Sequence, residues 1–297
     1  MRASCNGVLL SLLLVMGFAS SASAEEYLKS YPVTGRASVR VNADNAGVHI
    51  TASDASKVDF DVKYANWGSD APQIDSHQDG NATELTVRTA SHAWWPTAGR
   101  QLSIEVRMPK TGDLHVETSN GGVDVSSING SVVIHTSNGG IRAEQLTGKI
   151  DVSSTNGGIT LNALKGAVTA GTTNGAIRAG GLDGQCELST TNGSVHVAGR
   201  LDALKVSSGN GSVVAEAAPG STVASDWSIR TTNSSVSLAI PPGLKANLDA
   251  STSNGHVTVD LPGDASRSES EVRTALNGGG HQVSVRTTNG AIHVRGI

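Results

Sequence analysis

Residues 118–144 read TSNGGVDVSSINGSVVIHTSNGGIRAE, and the block Thr-Ser-Asn-Gly-Gly occurs in them twice, 18 residues apart. The Asn-Gly pair keeps this 18-residue interval over six repeats, in which the asparagines are Asn120, Asn138, Asn156, Asn174, Asn192 and Asn210. A second marker lies half a repeat away, at Gly130, Gly148, Gly166 and Gly184. Each repeat therefore contains two short segments separated by two turns.

Aliphatic residues occupy the same columns in successive repeats. One such column contains Val123, Ile141, Ile159, Ile177, Val195 and Val213. Polar or variable residues lie between these columns, so apolar and polar positions alternate over segments of about five residues. Alternation with a period of two is typical of β-strands that bury one face. The sequence therefore predicts an all-β protein.

Two all-β folds are compatible with this pattern. Asn-Gly between alternating segments is a strong hairpin signal, which favours an antiparallel meander. A meander gives no reason for the same turn to return at every second strand, whereas stacked coils place equivalent residues in contact. We therefore predict a parallel β-solenoid, or β-helix, with 18-residue coils and two short strands per coil. The pattern does not define the handedness of the coil.

Several details of the solenoid follow from the same pattern. We expect the glycine after each asparagine to supply a positive φ at the corner. Serine and threonine are expected to cover the outside of the coils. Open solenoid ends need covering, and the candidate caps are Tyr27–Pro32 and Arg295–Ile297. The segment Leu261–Gly280 is rich in Gly, Ser and charged residues and is expected to form loops.

Composition agrees with a thin, aliphatic core. The chain has 297 residues with 35 glycines, and aromatic residues make up 3% of it. The formal net charge is −4, and lysine and arginine form no cluster in the sequence. Nucleic-acid binding by neutralisation of phosphates is therefore not expected.

The chain divides into three parts. Residues 1–24 have a basic start, an apolar run of about eleven residues and an Ala-Ser-Ala end, which is typical of a secretory signal peptide. Residues 25–115 are expected to form an N-terminal β-strand region, with an irregular insertion at 65–100, that caps or continues the solenoid. Residues 116–297 are expected to form the Asn-Gly repeat solenoid. No later apolar stretch is long enough to span a membrane, so the mature protein is expected in the periplasm, at the cell surface or outside the cell.

The repeated blocks resemble a known family, the DUF4097-type secreted β-strand-repeat proteins, which are named "putative adhesins". The residues that carry the resemblance are Thr118–Val123, Thr136–Ile141 and Ser154–Ile159, together with the strand Leu102–Pro109 before the repeats. The resemblance covers residues 33–297. It implies an extracytoplasmic, envelope-associated role in bacteria and supplies no catalytic residue.

The sequence offers little evidence of catalysis. Asp151 and Glu187 share an outward column two coils apart, which places them near 10 Å, a separation that suits an inverting pair of carboxylates poorly. The nine histidines are scattered, and neither a zinc motif nor a calcium nonapeptide repeat is present. We therefore expect no catalytic residue, no metal and no cofactor. Cys186 takes a place in an aliphatic column and is expected to be buried.

Aromatic residues mark the candidate ligand site. Trp67, Trp94 and Trp95 lie in the polar insertion, away from the repeat columns. They could fold over the end of the solenoid as a cap, or they could form an exposed platform for a sugar or a protein. The six asparagines of the repeat are expected to form a structural ladder along one corner.

These observations predict an exported, non-enzymatic, envelope-associated protein that binds through a repetitive solenoid surface, in the manner of an adhesin. Its expected partners are glycans or cell-surface proteins. Two alternatives remain open at this point. One is a polysaccharide-cleaving β-helix enzyme, and the other is a purely structural component of the cell envelope.

Overall fold

The computed structural model of the chain describes residues 25–67, 70–89, 99–261 and 264–297. The predicted signal peptide at 1–24 lies outside these residues, as do Trp94 and Trp95. The described residues form 25 β-strands that join into one continuous sheet. This confirms the predicted all-β class.

Strands β1 to β9 precede or open the regular repeats. They are β1 (Glu25–Pro32), β2 (Ala37–Ala43), β3 (Gly47–Ser53), β4 (Lys57–Ala65), β5 (Gln73–Asp79), β6 (Ala82–Arg88), β7 (Gln101–Pro109), β8 (Gly112–Thr118) and β9 (Val123–Ser126). The regular coils follow as β10 (Asn129–Thr136), β11 (Ile141–Glu144), β12 (Thr147–Ser154), β13 (Ile159–Asn162), β14 (Lys165–Thr172), β15 (Ile177–Thr190) and β16 (Val195–Ser208).

The C-terminal third continues the same pattern with less regular spacing. Its strands are β17 (Val213–Ala217), β18 (Trp227–Thr231), β19 (Val236–Ile240), β20 (Ala246–Asn254), β21 (Val257–Leu261), β22 (Asp264–Ser268), β23 (Glu271–Leu276), β24 (Gln282–Asn289) and β25 (Ile292–Gly296).

Each regular coil contributes one long and one short strand, and the two lie on opposite faces of a flattened solenoid. Equivalent residues pair in parallel with an offset of 18, as Val132 does with Ile150 and Ile141 with Ile159. On the first face the spatial order is β5-β6-β2-β8-β10-β12-β14-β15-β16-β18-β24-β20-β23. On the second face it is β1-β4-β7-β3-β9-β11-β13-β15-β16-β17-β19-β25-β21-β22. The predicted parallel β-solenoid is confirmed.

The order of coils in space departs from chain order at both ends. Near the N-terminus, the first coil (β2 and β3) lies inside the stack, and the later strands β6 and β7 are placed outside it. Near the C-terminus, the last coil (β24 and β25) is inserted between β18/β19 and β20/β21. A repeat read along the sequence does not reveal these insertions, because it records spacing along the chain.

Antiparallel strands cover both ends. The expected cap Tyr27–Pro32 lies in β1, at the outer edge of the second face, and its Tyr27 and Tyr31 hydroxyls both contact Ser76 Oγ of β5 at 2.7 Å. The expectation for Arg295–Ile297 was wrong, because Arg295 lies inside the stack between β19 and β21. The segment expected as loops at Leu261–Gly280 instead contains β22 and β23, which cover the C-terminal end.

The segment 65–100, expected as an irregular insertion, contains two strands. Strand β5 forms an antiparallel hairpin with β6, and β6 pairs in parallel with β2. Alternation is present in β6, where Thr83, Leu85 and Val87 are buried and Glu84 and Thr86 point outward. This part of the chain therefore extends the first face by two strands.

Glycine serves the corners in a way that the sequence pattern did not indicate. The glycines after the asparagines do not have positive φ; they allow close approach, since a Cβ built on Gly157 would lie 1.8 Å from the carbonyl oxygen of Gly139. Positive φ occurs instead at the opposite corner, at Gln145 (54°) and Ala163 (54°), and at the half-repeat glycines such as Gly166 (117°). The expectation that Asn-Gly supplies positive φ was therefore wrong.

The core between the two faces is a continuous set of aliphatic side chains. Trp227 is an exception, because its indole is fully buried and its Nε1–H donates to the carbonyl oxygen of Asp202 at 3.4 Å. Cys186 is a free thiol with 5% of its surface exposed, as its column predicted. Burial raises the pKa of the Cys186 thiol to about 12.

We expect the Cys186 thiol of the native protein to resist alkylation. The thiolate is the reactive form, and both its raised pKa and its burial keep the thiolate population negligible at pH 8. Mass spectrometry after iodoacetamide treatment should show no adduct on native protein and one full adduct on Cys186 in 6 M guanidinium. Rapid modification of the native protein would mean that the coil opens at this position.

Candidate functional site

A ladder of asparagine amides follows one corner of the solenoid. Each Nδ2 donates to the Oδ1 of the asparagine in the adjacent coil, at 2.6 to 2.8 Å over the regular repeats. The order of the ladder is Asn254, Asn289, Asn233, Asn210, Asn192, Asn174, Asn156, Asn138, Asn120 and Asn45. It ends where Asn45 Nδ2 donates to Thr89 Oγ1 at 2.6 Å. These amides have partners within the coil stack, so their arrangement is explained without a ligand.

A column of threonine and serine hydroxyls lies directly behind the ladder. We expected such residues on the outside, but this column is buried, and it comprises Thr118, Thr136, Ser154, Thr172, Thr190 and Ser208. At Thr172, Oγ1 donates to the carbonyl oxygen of Gly157 at 2.9 Å and accepts from the amide of Gly175 at 3.2 Å. The buried hydroxyls therefore satisfy backbone groups at the corner where successive coils meet.

The outward side of the first face contains two grooves at the same place in successive coils. The first, the N-terminal groove, has a volume of about 720 Å³ and crosses strands β6, β2, β8, β10 and β12. Its lining is polar and includes Asn42, Asp44, Glu84, Arg88, Glu117, Ser119, His135, Ser137, Ser153 and Thr155. Three carboxylates thus face this groove together with one arginine and one histidine.

Hydrogen bonds fix the side chains of the N-terminal groove. Asn42 Nδ2 donates to Glu84 Oε1 at 2.9 Å, and His115 Nε2 lies 2.7 Å from Glu117 Oε1. His135 Nδ1 lies 2.6 Å from Ser153 Oγ. The hydrogen bond with His115 lowers the pKa of the Glu117 carboxyl, so Glu117 stays ionised near neutral pH. The groove therefore presents ordered acceptors that can receive hydrogen bonds from hydroxyl groups.

His115 and His135 were not expected to stack, and in the sheet His115 pairs with Val133. Their rings nevertheless approach edge to face across the coils, with centroids 6.0 Å apart. The sequence offset of 20 conceals this contact, because an offset of 18 plus two places the second ring diagonally opposite the first.

The second groove, the C-terminal groove, has a volume of about 500 Å³ and is formed by β16, β18, β24 and β20. Hydroxyls dominate its lining, from Ser207, Thr232, Ser251, Ser253 and Thr288. Two arginines, Arg230 and Arg286, face the same space. The two grooves therefore have opposite electrostatic character.

Small polar residues lie between the grooves along the same two columns. One column contains Ser153, Gly171, Ser189 and Ser207, and the next contains Ser137, Thr155, Thr173, Thr191 and Gly209. We call this surface the floor. With parallel strands spaced about 4.8 Å apart, the six steps from β8 to β18 extend over roughly 29 Å. The floor and the two grooves thus form one trough along the solenoid axis.

The candidate residues from the sequence have different positions. Trp67 is buried with 9% of its surface exposed, its Nε1–H donates to the carbonyl oxygen of Gln101, and the Arg100 guanidinium lies 4.8 Å from its ring. Its ring therefore offers no open platform, contrary to the ligand-binding interpretation. Trp94 and Trp95 lie outside the described residues, and their role stays a prediction.

The carboxylates considered for catalysis are separated in the sheet. Asp151 and Glu187 both pair with Thr169 from opposite sides, and Glu187 forms an ion pair with Lys205 Nζ at 2.5 Å. Among the described residues, no group of three or more histidine, cysteine, aspartate or glutamate side chains is arranged to hold a metal ion. In the same part of the chain, no helix has the length and apolar character needed to cross a membrane.

Sequence analysis did not identify the trough. The equivalence of Ser207, Arg230 and Arg286 is hidden because their offsets are 23 and 56 residues. The usable signal was the run of serine and threonine at one outward column of every regular coil, which the sequence analysis assigned to general surface coverage.

Comparisons with solved structures recover proteins of low sequence identity. A "putative cell adhesion protein" from Clostridium sporogenes is 12% identical, with 93% of this chain and 100% of that chain covered and a TM-score of 0.27. A "putative adhesin" from Parabacteroides merdae is 12% identical, with coverage of 92% and 96% and a TM-score of 0.42. A "putative lipid binding protein" from Parabacteroides distasonis is also 12% identical, with coverage of 92% and 96% and a TM-score of 0.35.

A search of curated proteins found no match. A family model, by contrast, matches residues 37–295, which span the strands from β2 to β25 and therefore both grooves and the floor. This match agrees with the resemblance seen in the repeated Thr-Ser-Asn-Gly-Gly blocks. The chain belongs to the Toastrack DUF4097 family.

Proposed function

We propose that this protein is an exported, non-enzymatic, adhesin-like binding protein of the bacterial envelope, and that it holds an extended glycan in the trough of its first face. The observation that carries the proposal is the alignment of two polar grooves, of about 720 and 500 Å³, on the same outward columns. A floor of serine, threonine and glycine joins them without an intervening large side chain.

The chemistry of the trough supports a ligand rich in hydroxyl groups. The N-terminal groove offers carboxylate acceptors, and the C-terminal groove offers guanidinium donors and hydroxyls. Sugar hydroxyls both donate and accept hydrogen bonds, so they can use all of these groups. A long rigid surface also favours an extended partner, because successive weak contacts then act together without reorganisation of the protein.

The arrangement of acidic groups favours binding over cleavage. Glycoside hydrolysis requires two carboxyl groups that flank one bond, with separations of about 5 to 9.5 Å. In the N-terminal groove, Glu84 accepts from Asn42 and Glu117 is bound by His115, so both carboxylates are committed to structural hydrogen bonds. Such carboxylates suit recognition of hydroxyls better than proton transfer.

Substitution of Ser189 by tyrosine should block the trough. Ser189 is exposed at the middle of the floor, and tyrosine suits a β-strand, so the variant should fold. Its ring would stand in the path of a chain that runs between the grooves. We expect retention of the protein on purified envelope polysaccharide to fall at least about tenfold, which corresponds to roughly 1.4 kcal/mol of binding energy.

The matched control is Thr160→Tyr, which places the same ring on an outward position of β13 on the second face. It should bind like the unaltered protein and have the same melting temperature as Ser189→Tyr. Equal binding by Ser189→Tyr and the unaltered protein would remove the trough as the ligand site. Release of new reducing ends from the polysaccharide would instead favour an enzyme.

A further inference from the structure

The C-terminal groove contains an electrostatic feature that a neutral ligand does not require. Arg230 of β18 and Arg286 of β24 are directly opposite each other in the parallel ladder, and both line the groove. Their backbones are therefore about 4.8 Å apart. Like charges at directly opposite positions destabilise a sheet, so the pair has an energetic cost in the empty protein.

The two arginines differ in their partners. Arg286 Nη2 lies 3.3 Å from Asp249 Oδ2, and the same carboxylate has Arg273 Nε 3.8 Å from Oδ1. Arg273 also forms an ion pair with Glu271 at 2.5 Å. Within the residues that the structure describes, Arg230 has no carboxylate partner. Three arginines therefore face two carboxylates, which leaves one net positive charge at a groove of a protein whose net charge is −4.

The neighbours of Arg230 leave its guanidinium accessible. In the ladder it stands between Ser207 and Arg286, and Ser228, which precedes it on the outward side, is neutral. The side chains around the groove are otherwise hydroxyls, namely Ser207, Thr232, Ser251, Ser253 and Thr288. Hydroxyl donors beside a pair of guanidinium groups are well suited to an oxyanion, which can receive several charge-assisted hydrogen bonds at once.

We propose that the C-terminal groove is an anion site that binds the carboxylate or sulfate group of an acidic polysaccharide whose chain continues along the floor. This rests on the proposed function, since the floor must hold the rest of the chain. A bound oxyanion would neutralise the Arg230 charge and would remove the repulsion between Arg230 and Arg286. The anion thus supplies the missing counter-charge of the cluster.

The charge at the other end of the trough indicates that the acidic groups are widely spaced. The N-terminal groove presents Asp44, Glu84 and Glu117, roughly 29 Å or more from Arg230 along the axis. A polymer with one negative charge on each unit would place anions against these carboxylates. A polysaccharide with sparse acidic groups avoids this repulsion, whereas a nucleic acid, with a phosphate at every nucleotide, does not.

The test uses three polymers with the same backbone: dextran, carboxymethyl-dextran of low substitution, and dextran sulfate of low substitution. Binding of the purified protein is measured by calorimetry at 50 mM and 500 mM NaCl, with oligo(dT) as a fourth probe. We expect at least one acidic dextran to bind about tenfold more tightly than neutral dextran at low salt, since hydrogen bonds to charged groups contribute about 1.5–3 kcal/mol. The difference should shrink at high salt because screening is then stronger.

The deciding variant is Arg230→Gln, with Arg178→Gln as its matched control. Arg178 is also exposed on a strand but lies on the second face, where its ladder neighbours are Thr160 and His196. We expect Arg230→Gln to abolish the preference for the acidic dextran and Arg178→Gln to retain it. The melting temperature of both variants should match that of the unaltered protein, because neither guanidinium forms an ion pair among the described residues.

The outcomes separate the two proposals. Equal affinity for all three dextrans, lost in Ser189→Tyr, would keep the trough as the ligand site and overturn the anion site. An acidic preference that survives Arg230→Gln would also overturn it. The tightest binding to oligo(dT), lost in Arg230→Gln, would identify a nucleic acid as the ligand and overturn the polysaccharide assignment. Preference for one acidic dextran over the other would identify the acid as carboxylate or sulfate.

Discussion

Replacement of Gly166 by alanine is expected to lower the melting temperature by about 10 °C. Gly166 has a φ of 117°, which side-chain-bearing residues rarely adopt, and a Cβ there would lie 2.3 Å from the carbonyl oxygen of Gly148. Strained φ costs about 1–3 kcal/mol, and forced displacement of packed backbone costs a similar amount. The sum of about 4 kcal/mol is a large part of a typical unfolding free energy. For a chain of this length each kcal/mol shifts the melting temperature by about 2–4 °C.

Gly158→Ala in the same coil is the matched control. A Cβ on Gly158 would meet the carbonyl oxygen of Ala176 at 3.4 Å, an ordinary contact distance, and its φ is not positive. The equivalent positions in the next coils already hold Ala176 and Ser194. Circular dichroism melts of both variants should therefore show a large loss for Gly166→Ala and a shift below about 3 °C for Gly158→Ala, in line with the small effect of surface substitutions.

Similar melting temperatures for the two variants would contradict this interpretation of the corner. They would mean that the coils can separate enough at Gly166 to admit a methyl group. The column itself indicates how such relief occurs. Beyond Gly184, the partner position is Leu201, and the pairing of β15 with β16 shows register shifts on both sides of that pair. The sheet thus accommodates a side chain in this column where the register changes.

The regular repeats were predictable because one physical rule governs all of them. Equivalent residues stack in a parallel solenoid, so an apolar column in the sequence becomes an apolar column in the core. This is why the burial of Cys186 followed from Val132, Ile150 and Val168 before it. The rule requires that each coil lies on its neighbour in the sequence, and it fails where that condition fails.

The ends of the solenoid break that condition. Strand β24 pairs with β18 and β20, at offsets of 56 and 35 residues, and β6 pairs with β2 at an offset of 44. Any column that crosses these places cannot be assembled by a fixed 18-residue interval. The candidate site extends into both irregular regions, which explains why Arg230 and Arg286 were not recognised as neighbours.

The roles of glycine and threonine at the corner were also beyond the reach of the pattern. Asn-Gly commonly signals positive φ, and this association led to the wrong assignment for Gly157. The actual requirement is the approach of successive coils, which depends on three-dimensional packing. Threonine presents the same difficulty, because a hydroxyl next to an exposed asparagine reads as surface although its side chain turns inward to the backbone.

Thr172→Val should reveal what that inward hydroxyl contributes. Valine has nearly the same shape and keeps the methyl contact, but it removes the hydroxyl that donates to Gly157 and accepts from Gly175. Gly157 and Gly175 are buried, so their carbonyl and amide groups would lose a partner that water cannot easily replace. Each unsatisfied buried group costs about 1–3 kcal/mol. We expect a loss of about 2–4 kcal/mol in the unfolding free energy from urea titration, with an unchanged m-value.

Thr172→Ser separates this hydrogen-bond effect from packing. Serine keeps the hydroxyl and removes the methyl group, and it already stands at the equivalent positions Ser154 and Ser208, where the same two hydrogen bonds form. A loss of about 1 kcal/mol or less is expected, because the side chain loses one methyl group. If Thr172→Ser were as destabilising as Thr172→Val, the corner would depend on the methyl contact, and the hydroxyl column would not be what joins the coils.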